Sequence, residues 1–338
     1  MSAALQEIRQ PDPSSAQVVI VIVNYCTPQL TINCLESLEQ SGDLTASMQV
    51  VVVDGGSTDD SAAIIGAAIE HHGWAGWATL LPLNVNGGFA YANNRGVEVA
   101  TTRFGRPRFV WLLNSDTIVR PGALSRLLTF MEGNPQAAIA GSRLEDPDGT
   151  PQHSAFRFHS VLGELESTIR LGPVSRLLRK WCVAPPIADA SIRTDWVSGA
   201  SLIVRTEALD GTGVLDEAYF MYYEESDLCL HVARKGWQCW YVPESRVVHL
   251  VGKSSGVTSR SGAPRRRPTY WFASRRRYFI KNHGWLYAVL ADLAWVGGHA
   301  VWRLRRNLQN KPDRDPPRLL TDFLRQCALA RTAQISKP

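Results

Sequence analysis

The chain has 338 residues, of which 45% are hydrophobic and 20% charged, and its formal net charge is +5. A chain this long and this apolar can bury a sizeable core, which excludes a mainly disordered protein and predicts one large domain with an appendage. The six cysteines are dispersed, without a CxxC pair or a Cys/His pattern at zinc spacing. This excludes a disulfide scaffold and a zinc ribbon, and it favours reduced, mostly buried thiols.

The N-terminal segment MSAALQEIRQPDPSSAQ is polar and rich in proline and serine. It contains no apolar run of the kind that a secretory signal requires. We therefore expect a cytoplasmic protein whose residues 1–16 form a flexible tail.

Buried-strand patterns and helical patterns then alternate along the chain. The run VVIVIVN at 18–24 is continuous, apolar and β-branched, as in a strand that is buried on both faces of a parallel sheet. After it, Pro28 suits the first turn of a helix in which Leu30, Cys34 and Leu38 recur at helical spacing. The same patterns predict strands at 48–54, 79–83 and 108–114, and helices at 59–71, 89–102 and 121–132. This order predicts βαβ winding around a mostly parallel sheet.

The pattern loosens beyond residue 135, where turns at 141–151 and a poorly periodic stretch to 195 predict loops that recognise a substrate. Regular structure returns with a strand at 196–204, a helix at 224–235, and short strands at 237–242 and 246–250. The expected fold class is therefore α/β, with ligands bound at the carboxyl ends of the parallel strands.

Polar side chains end three of the predicted strands. They are Asn24, Asp54 and the group Asn114, Ser115 and Asp116. Asp54 opens the turn GGSTDD, whose glycines let a ligand approach the backbone, and its carboxylate can accept the imide N–H of a uracil or thymine ring. The alternative is that Asp54 only shapes the turn that precedes the next helix.

The segment LNVNGGFAYANNRG at 83–96 places two glycines just before a helix. Backbone N–H groups at Gly87 and Gly88 can therefore approach a diphosphate or a ribose. The glycine spacing fits neither a Walker A loop nor a dinucleotide-binding loop. The alternative is a plain strand-to-helix turn in which Asn93 and Asn94 satisfy the local backbone.

Asp116 is the candidate metal ligand. It ends the apolar strand WLLNSD, where one carboxylate oxygen can face a hard cation that bridges two phosphates. Its alternative is a cap on the helix that begins near Pro121. His249 ends the pattern RVVHL, where a neutral imidazole either completes the same site or lies in the core.

Three carboxylates follow the aromatic run in FMYYEESDLCL. Glu224, Glu225 and Asp227 fall in the first turn of a predicted helix, where acidic residues are common because they oppose the helix dipole. Crowding of carboxylates beside aromatic rings also raises the pKa of one carboxyl toward a value useful for a base, if water is excluded. Glu225 is our candidate base and Glu224 the reserve.

In type, order and spacing these segments resemble the inverting family 2 glycosyltransferases of the GT-A fold, particularly the rhamnosyltransferase-like branch. The resemblance covers roughly residues 18–256 and rests on IVNY, VVDGGSTD, NVNGGFAYANNRG, LLNSD, DWVSGASLIVR, EESDLCL, GWQCWYVPESRVVH and GKSS. It implies a GT-A catalytic domain at 17–256, with a mostly parallel central sheet, followed by a basic, aromatic and helical appendage at 257–338.

The resemblance also implies residue roles. For the donor we assign Asn24, Tyr25, Asp54, Gly87, Gly88, Asn94, Asn114 and Ser115; for a Mg²⁺ or Mn²⁺ ion, Asp116 and His249; for the acceptor, Trp196, Gly199, Ala200 and Asp227; for the base, Glu225 or Glu224. There are two departures from the family. Asn114 occupies a position where the metal motif often has Asp, which can alter metal dependence, and Glu225 occupies one where Asp is common, which lengthens the base by one methylene.

The implied activity is transfer of a sugar from a nucleotide-diphosphate donor, with inversion, to a glycan or a polyprenyl-linked saccharide in cell-wall or polysaccharide biosynthesis. The branch makes dTDP-rhamnose the first expectation for the donor and a UDP-sugar the second. A nucleotidyltransferase is disfavoured because IVNYCTPQL is not a glycine- and basic-rich loop. A non-catalytic scaffold that binds RNA or a membrane leaves the strand-end acidic residues unexplained, and no nucleic-acid partner is expected.

Basic and aromatic residues crowd the last quarter of the chain. The stretch from Trp285 to Trp302 is apolar apart from Asp292 and His299, but it is short for a membrane span. Its flanking arginines suit a helix that lies in the interface of an anionic leaflet, on the inner face of the cytoplasmic membrane. The alternative is a helix packed on the catalytic domain.

Overall fold

The computed structural model describes residues 17–209, 214–250 and 264–330. The predicted tail at 1–16 and the GKSS motif at 252–255 lie outside the described residues. The strands are β1 Val18–Asn24, β2 Met48–Asp54, β3 Ala78–Pro82, β4 Phe109–Asn114, β5 Thr117–Val119, β6 Ala137–Glu145, β7 Ala155–Phe156, β8 Ile192–Thr194, β9 Trp196–Val197, β10 Ser201–Arg205 and β11 Gln238–His249. The helices are α1 Pro28–Gln40, α2 Ser61–His71, α3 Phe89–Phe104, α4 Ala123–Gly133, α5 Val161–Ile169, α6 Gly172–Leu177, α7 Glu224–Arg234, α8 Thr269–His283, α9 Trp285–Leu308 and α10 Leu319–Gln326.

One large sheet runs in the order β3-β2-β1-β4-β10-β6-β11-β5, and β8 pairs with the first half of β11. β3, β2, β1 and β4 are mutually parallel, and β11 is parallel to β6. β10 runs antiparallel to both of its neighbours, and β5 runs antiparallel to β11. The mostly parallel α/β sheet predicted from the sequence is confirmed.

Both faces of this sheet are covered by helices. From β1, Val18, Ile20 and Ile22 pack into the core that contains α1, α2 and α4, whereas Val19 and Val21 pack into the core that contains α3 and α7. A strand that is buried on both sides needs an apolar residue at every position. This is why β1 is an unbroken apolar run up to Asn24.

The stretch beyond residue 135 was predicted to lack regular structure, and that prediction is wrong. It contains β6, a largely buried strand between β10 and β11 in the centre of the sheet. Its sequence AAIAGSRLE is poor in β-branched residues, because neighbours press close to it: a Cβ on Gly141 would lie 2.5 Å from the side chain of Val197. The two predicted strands at 237–242 and 246–250 form one continuous strand, β11, with a register shift between Val242 and Arg246.

The C-terminal helices dock on the rest of the molecule through a buried arginine. Arg275 of α8 is 2% exposed and lies between two carboxylates, at 2.9 Å from Glu164 of α5 and 2.6 Å from Asp292 of α9. Removing one member of such a buried set leaves an uncompensated charge, which is strongly destabilising. The alternative of a helix packed on the catalytic domain therefore holds for the face of α9 that carries Asp292. Within the described residues, no helix combines the length and the apolar character needed to cross a membrane.

Candidate active site

A cavity of about 480 Å³ opens at the carboxyl ends of β1 and β4, next to the first turns of α3 and α7. Parallel strands end at one edge of a sheet, so residues that are distant in sequence meet there. The predicted site residues that line it are Tyr25, Gly88, Asn114, Ser115, Asp116, Gly199, Ala200, Glu224, Glu225 and His249. The fold thus brings candidates for the donor, the metal, the acceptor and the base into one cavity.

Pairing of β5 with β11 positions the two candidate metal ligands. In this register His249 stands opposite Thr117, which directly follows Asp116. The imidazole Nε2 of His249 lies 3.5 Å from Oδ1 of Asp116, and the carboxylate is almost fully buried. Both side chains line the cavity, so His249 is more than a core residue.

These ligands fit a divalent cation that also binds the substrate. The side-chain oxygen of Asn114, at the end of the same strand, is buried and has no hydrogen-bond partner among the described residues. No third His, Cys, Asp or Glu joins Asp116 and His249 to form a closed metal cluster within the described parts of the chain. Mg²⁺ typically takes only one or two carboxylates from the protein and fills its coordination with phosphate oxygens and water. An open site of this kind is what a diphosphate donor requires.

The first turn of α3 depends on a glycine. Gly88 has a φ of +90°, and a Cβ at this position would overlap the carbonyl oxygen of Phe220. The next residue, Phe89, donates its N–H to that same carbonyl at 2.7 Å. The segment before α7 therefore packs against the start of α3. The N–H of Gly88 is engaged as well, because it donates to the side-chain oxygen of Asn86 at 3.0 Å. The predicted approach of these N–H groups to a donor diphosphate therefore stays a prediction.

Asn24 and Asp54 lie beneath the cavity and do not line it. The Asn24 amide donates to Oδ2 of Asp54 at 2.8 Å. Asp54 also accepts the Ser57 hydroxyl at 2.7 Å and the Ser57 N–H at 3.0 Å. These bonds shape the turn that presents Tyr25 and Gly55 to the cavity. A direct contact of Asp54 or Asn24 with the nucleotide stays a prediction.

The entry into α7 is held in an unusual backbone conformation. Tyr222 and Tyr223 both have a φ of +72°, which costs a non-glycine residue about 1–3 kcal/mol. The ring of Tyr223 is fixed by neighbouring rings, with centroids at 4.7 Å for His159 and 5.6 Å for Tyr278. This packing determines the direction in which Glu224 and the following residue leave the turn.

Both carboxyls at the start of α7 are suited to hold a proton. Burial raises the pKa of Glu225, whose carboxylate accepts backbone hydrogen bonds from its own N–H and from Gly199. Burial also raises the pKa of Glu224, and the negative charge of Glu225 raises it further. A Cβ built on Gly199 would lie 3.6 Å from Oε1 of Glu225, which puts this carboxylate beside the predicted acceptor loop.

Three predicted site residues serve the framework instead of the cavity wall. Asn94 bonds to the backbone of Val214 and Leu215. Trp196 stacks on Phe156 at 4.2 Å and donates its indole N–H to a backbone carbonyl. Asp227 accepts bonds from Tyr219, Lys281 and Asn282, which tie α7 to α8. The roles of Asn94, Trp196 and Asp227 toward donor or acceptor remain predictions.

Gly87 lies between two residues that line the cavity, Asn86 and Gly88, and a Cβ on it would overlap the Tyr91 ring. Its role toward the donor also remains a prediction.

Sequence reasoning did not assign the aromatic side of the cavity. Phe220, Met221 and Tyr222 belong to the aromatic run FMYY, which directly precedes the carboxylates of α7. Tyr270 comes from α8, which lies within the predicted C-terminal appendage. No sequence pattern links Tyr270 to this site, because its position depends on how α8 packs.

Known proteins with similar sequences and structures are glycosyltransferases. Residues 18–177 match the model of Glycosyl transferase family 2. The N-acetylglucosaminyl-diphospho-decaprenol L-rhamnosyltransferase of Mycobacterium tuberculosis is 29% identical over 282 residues, which cover 80% of this chain and 87% of that protein. The rhamnosyltransferase WbbL of Escherichia coli is 25% identical over 167 residues, which cover 48% of this chain and 61% of WbbL.

Solved structures support the same fold. The mannosyltransferase PcManGT from Pyrobaculum calidifontis, solved in complex with GDP-Man and Mn²⁺, aligns with a TM-score of 0.55 and 16% identity, covering 88% of this chain and 77% of its own. At that identity the likeness concerns the fold alone. Sequence and fold agree with the cavity chemistry: the chain is a glycosyltransferase of the GT-A fold, and its residues 18–177 are similar to family 2 domains.

Proposed function

We propose that the protein is an inverting rhamnosyltransferase that uses dTDP-rhamnose and a divalent cation, and that its acceptor is a lipid-linked N-acetylglucosaminyl diphosphate. The observation that carries this proposal is the convergence of Asp116, His249 and Glu225 on one cavity, from three separate elements. The donor sugar and the acceptor are supported by the activity in the name of the Mycobacterium tuberculosis relative. A UDP-sugar is the second candidate for the donor.

In the proposed mechanism, Glu225 removes the proton from an acceptor hydroxyl while that oxygen attacks the anomeric carbon of the donor. The bond from the anomeric carbon to the diphosphate breaks on the opposite side, the nucleoside diphosphate leaves, and the configuration inverts. Asp116 and His249 would hold the cation, which would supply charge neutralisation for the diphosphate.

The test is transfer itself. Purified protein with Mn²⁺, dTDP-rhamnose and a short-chain N-acetylglucosaminyl-diphosphoryl-lipid should release dTDP and form one rhamnosylated product. Inversion predicts that the product carries the anomeric configuration opposite to that of the donor, which NMR of the new linkage reads directly. UDP-sugars and GDP-sugars should react at least tenfold more slowly. Faster transfer from a UDP-sugar would contradict the donor assignment, and no transfer from any nucleotide sugar would contradict the proposal.

We further propose that α9 contacts an anionic membrane with its outer face. That face presents exposed apolar side chains along the whole helix, Trp285, Leu286, Leu290, Leu293, Val301, Leu304 and Leu308. From Leu286 onward these residues are three, four or eight positions apart, which places them in one stripe, and the opposite face, with Ala288, Ala291 and Trp295, is buried against the domain. Such contiguous exposed apolar surface is rare on monomeric proteins unless it binds something.

The charges near the outer face of α9 favour a lipid surface, and not a second copy of the chain, as the partner of this face. Exposed Arg303 lies beside the stripe, and exposed Lys311, Arg314 and Arg318 follow α9. Cations at this border attract anionic headgroups but repel an identical basic helix. A lipid-linked acceptor also requires the enzyme to work at a membrane.

The double variant Leu290→Glu/Leu293→Glu should lose sedimentation with vesicles of phosphatidylglycerol and phosphatidylcholine by about tenfold or more, since two carboxylates would enter the interface. Ile64→Glu, at an exposed apolar residue of α2 on the other side of the sheet, is the matched control and should bind as wild type does. Equal vesicle binding by all three proteins would contradict the membrane contact. Loss of a dimer in the double variant, measured by sedimentation velocity without lipid, would favour a second copy.

A further inference from the structure

One wall of the cavity is built from aromatic side chains of two distant segments. Phe220 and Tyr222 lie just before α7, and Tyr270 lies in the first turn of α8. The ring centroid of Tyr270 is 5.1 Å from that of Phe220 and 6.1 Å from that of Tyr222. The planes of the two tyrosine rings are only 23° apart, so the rings stack on one another with an offset and form one continuous aromatic unit of the wall.

This surface belongs to the cavity and not to the core. Tyr222 and Tyr270 are both partly exposed, whereas Tyr219 and Tyr278, which fill the apolar cluster between α7 and α8, are completely buried. An aromatic surface that is left open in a cavity, across from carboxylates and other polar groups, implies a ligand that has both an apolar face and polar groups. Tyrosine supplies such area at a small cost in conformational entropy and keeps a polar tip in contact with water.

The position of Glu225 limits which part of the substrate can reach this wall. A base must lie within roughly 2.6–3.2 Å of the hydroxyl oxygen whose proton it removes. The sugar that carries this hydroxyl therefore lies against the turn that leads into α7. Tyr222 belongs to this turn, and its N–H group donates to the carboxylate of Glu224. The candidate cation ligands lie elsewhere, Asp116 between β4 and β5 and His249 at the end of β11, so the predicted diphosphate side of the cavity is built from other elements.

We propose that Tyr222 and Tyr270 form the platform on which a pyranose ring of the acceptor stacks, and that α8 thereby takes part in choosing the acceptor. A pyranose presents C–H groups on its faces and hydroxyls on its edge. The C–H face packs on the electron-rich faces of the tyrosine rings, which leaves an edge hydroxyl free to turn toward Glu225. The proposal rests on the proposed function in one respect, that the acceptor is a saccharide.

Replacement of Tyr270 separates this role from a structural one. Tyr270→Ala should raise the acceptor KM about tenfold, which corresponds to the loss of one stacked ring, while the donor KM stays within twofold of wild type. Tyr270→Phe should restore the wild-type acceptor KM, because the ring face and not the hydroxyl carries the contact. Both variants should melt within a few degrees of wild type, since Tyr270 lies at the cavity wall.

Tyr25→Ala is the matched comparison, because Tyr25 is a partly exposed tyrosine of the same cavity at the end of β1, on the predicted donor side. It should raise the donor KM and leave the acceptor KM nearly unchanged. An unchanged acceptor KM in Tyr270→Ala would overturn the platform. A donor KM that rises as much as the acceptor KM in that variant would overturn it as well, because the ring would then serve the donor.

A binding measurement without any donor distinguishes this proposal from the proposed function. In saturation-transfer-difference NMR, the methyl glycoside of N-acetylglucosamine should receive saturation from aromatic protons of wild type and of Tyr270→Phe, but at most one tenth as much from Tyr270→Ala. This pattern would support the platform even if no rhamnose is transferred. If rhamnose is transferred but sugar binding does not depend on the Tyr270 ring, the platform is contradicted and the proposed activity is not.

Discussion

Glu225→Gln is expected to lower the rate of sugar transfer by about 10²–10⁴-fold while the protein stays folded and binds the donor. The amide has the shape of the carboxyl but cannot accept the proton of the acceptor hydroxyl. The loss should fall on kcat, because a general base acts in the chemical step of the reaction. Glu225 lies beside Gly199, on the predicted acceptor side of the cavity. Steady-state release of nucleoside diphosphate, with a melting curve for each protein, measures both quantities.

Two further glutamine variants sharpen this result. Glu207→Gln, at an exposed residue outside the cavity lining, is the matched control and should keep the wild-type rate. Glu224→Gln should lose less activity than Glu225→Gln, because the Glu225 charge favours the protonated form of Glu224. If Glu224→Gln is the more damaged variant, the role of base passes to Glu224.

The pH dependence of kcat/KM tests the role of Glu225 independently. Burial raises the pKa of Glu225 above the usual value for glutamate of about 4.3. The base acts in its ionised form, so kcat/KM should increase as the pH rises through this raised pKa. The ascending limb of the profile should therefore lie above the ordinary glutamate range, and it should be missing from the residual activity of Glu225→Gln.

Asp116→Ala is expected to lower transfer by about 10²-fold or more and to abolish the effect of Mn²⁺ on binding of the nucleotide. Stabilisation of the diphosphate by a metal is worth several kcal/mol, and each 1.36 kcal/mol corresponds to a tenfold change in rate. The structural basis is the single buried carboxylate at the end of β4, 3.5 Å from His249. Calorimetric titration of dTDP with and without Mn²⁺ reads the metal contribution directly.

Asp189→Ala, at an exposed carboxylate outside the cavity lining, is the control and should behave as wild type does in both measurements. His249→Ala should show a smaller loss than Asp116→Ala, because a neutral imidazole contributes no charge to hold the cation. Mn²⁺-dependent binding of dTDP that survives in Asp116→Ala would show that another residue holds the metal.

The strands that carry the site were predictable because burial on both faces leaves a local signature. β1 and β2 were predicted at their observed bounds, since β1 is an unbroken apolar run that ends in Asn24, and β2 contains four successive valines before Asp54. β6 left no such signature, because its alanines and Gly141 are selected by close neighbours and not by strand propensity. The predicted strand at 196–204 is divided into β9 and β10 by the turn that carries Gly199 into the cavity.

Short polar motifs indicated the right part of the fold, but not which of their members face the cavity. Asp116 and Glu225 face the cavity. Asp54 and Asp227 are also carboxylates near the ends of elements, but they are engaged in hydrogen bonds within the framework. A sequence gives the spacing of such residues along the chain. It does not give the direction of a side chain that leaves a turn, which here depends on packing such as that around Tyr223.

The sequence by itself determined the α/β class, the succession of the first strands and helices along the chain, and the group of motifs that resemble those of glycosyltransferases. These are features of local periodicity and spacing. Tertiary structure alone decided that His249 meets Asp116, through the pairing of β11 with β5. It also decided that α8 supplies Tyr270 to the cavity, through the burial of Arg275 between Glu164 and Asp292. Contacts between residues far apart in the chain arise from packing of whole elements, and no window of sequence contains them.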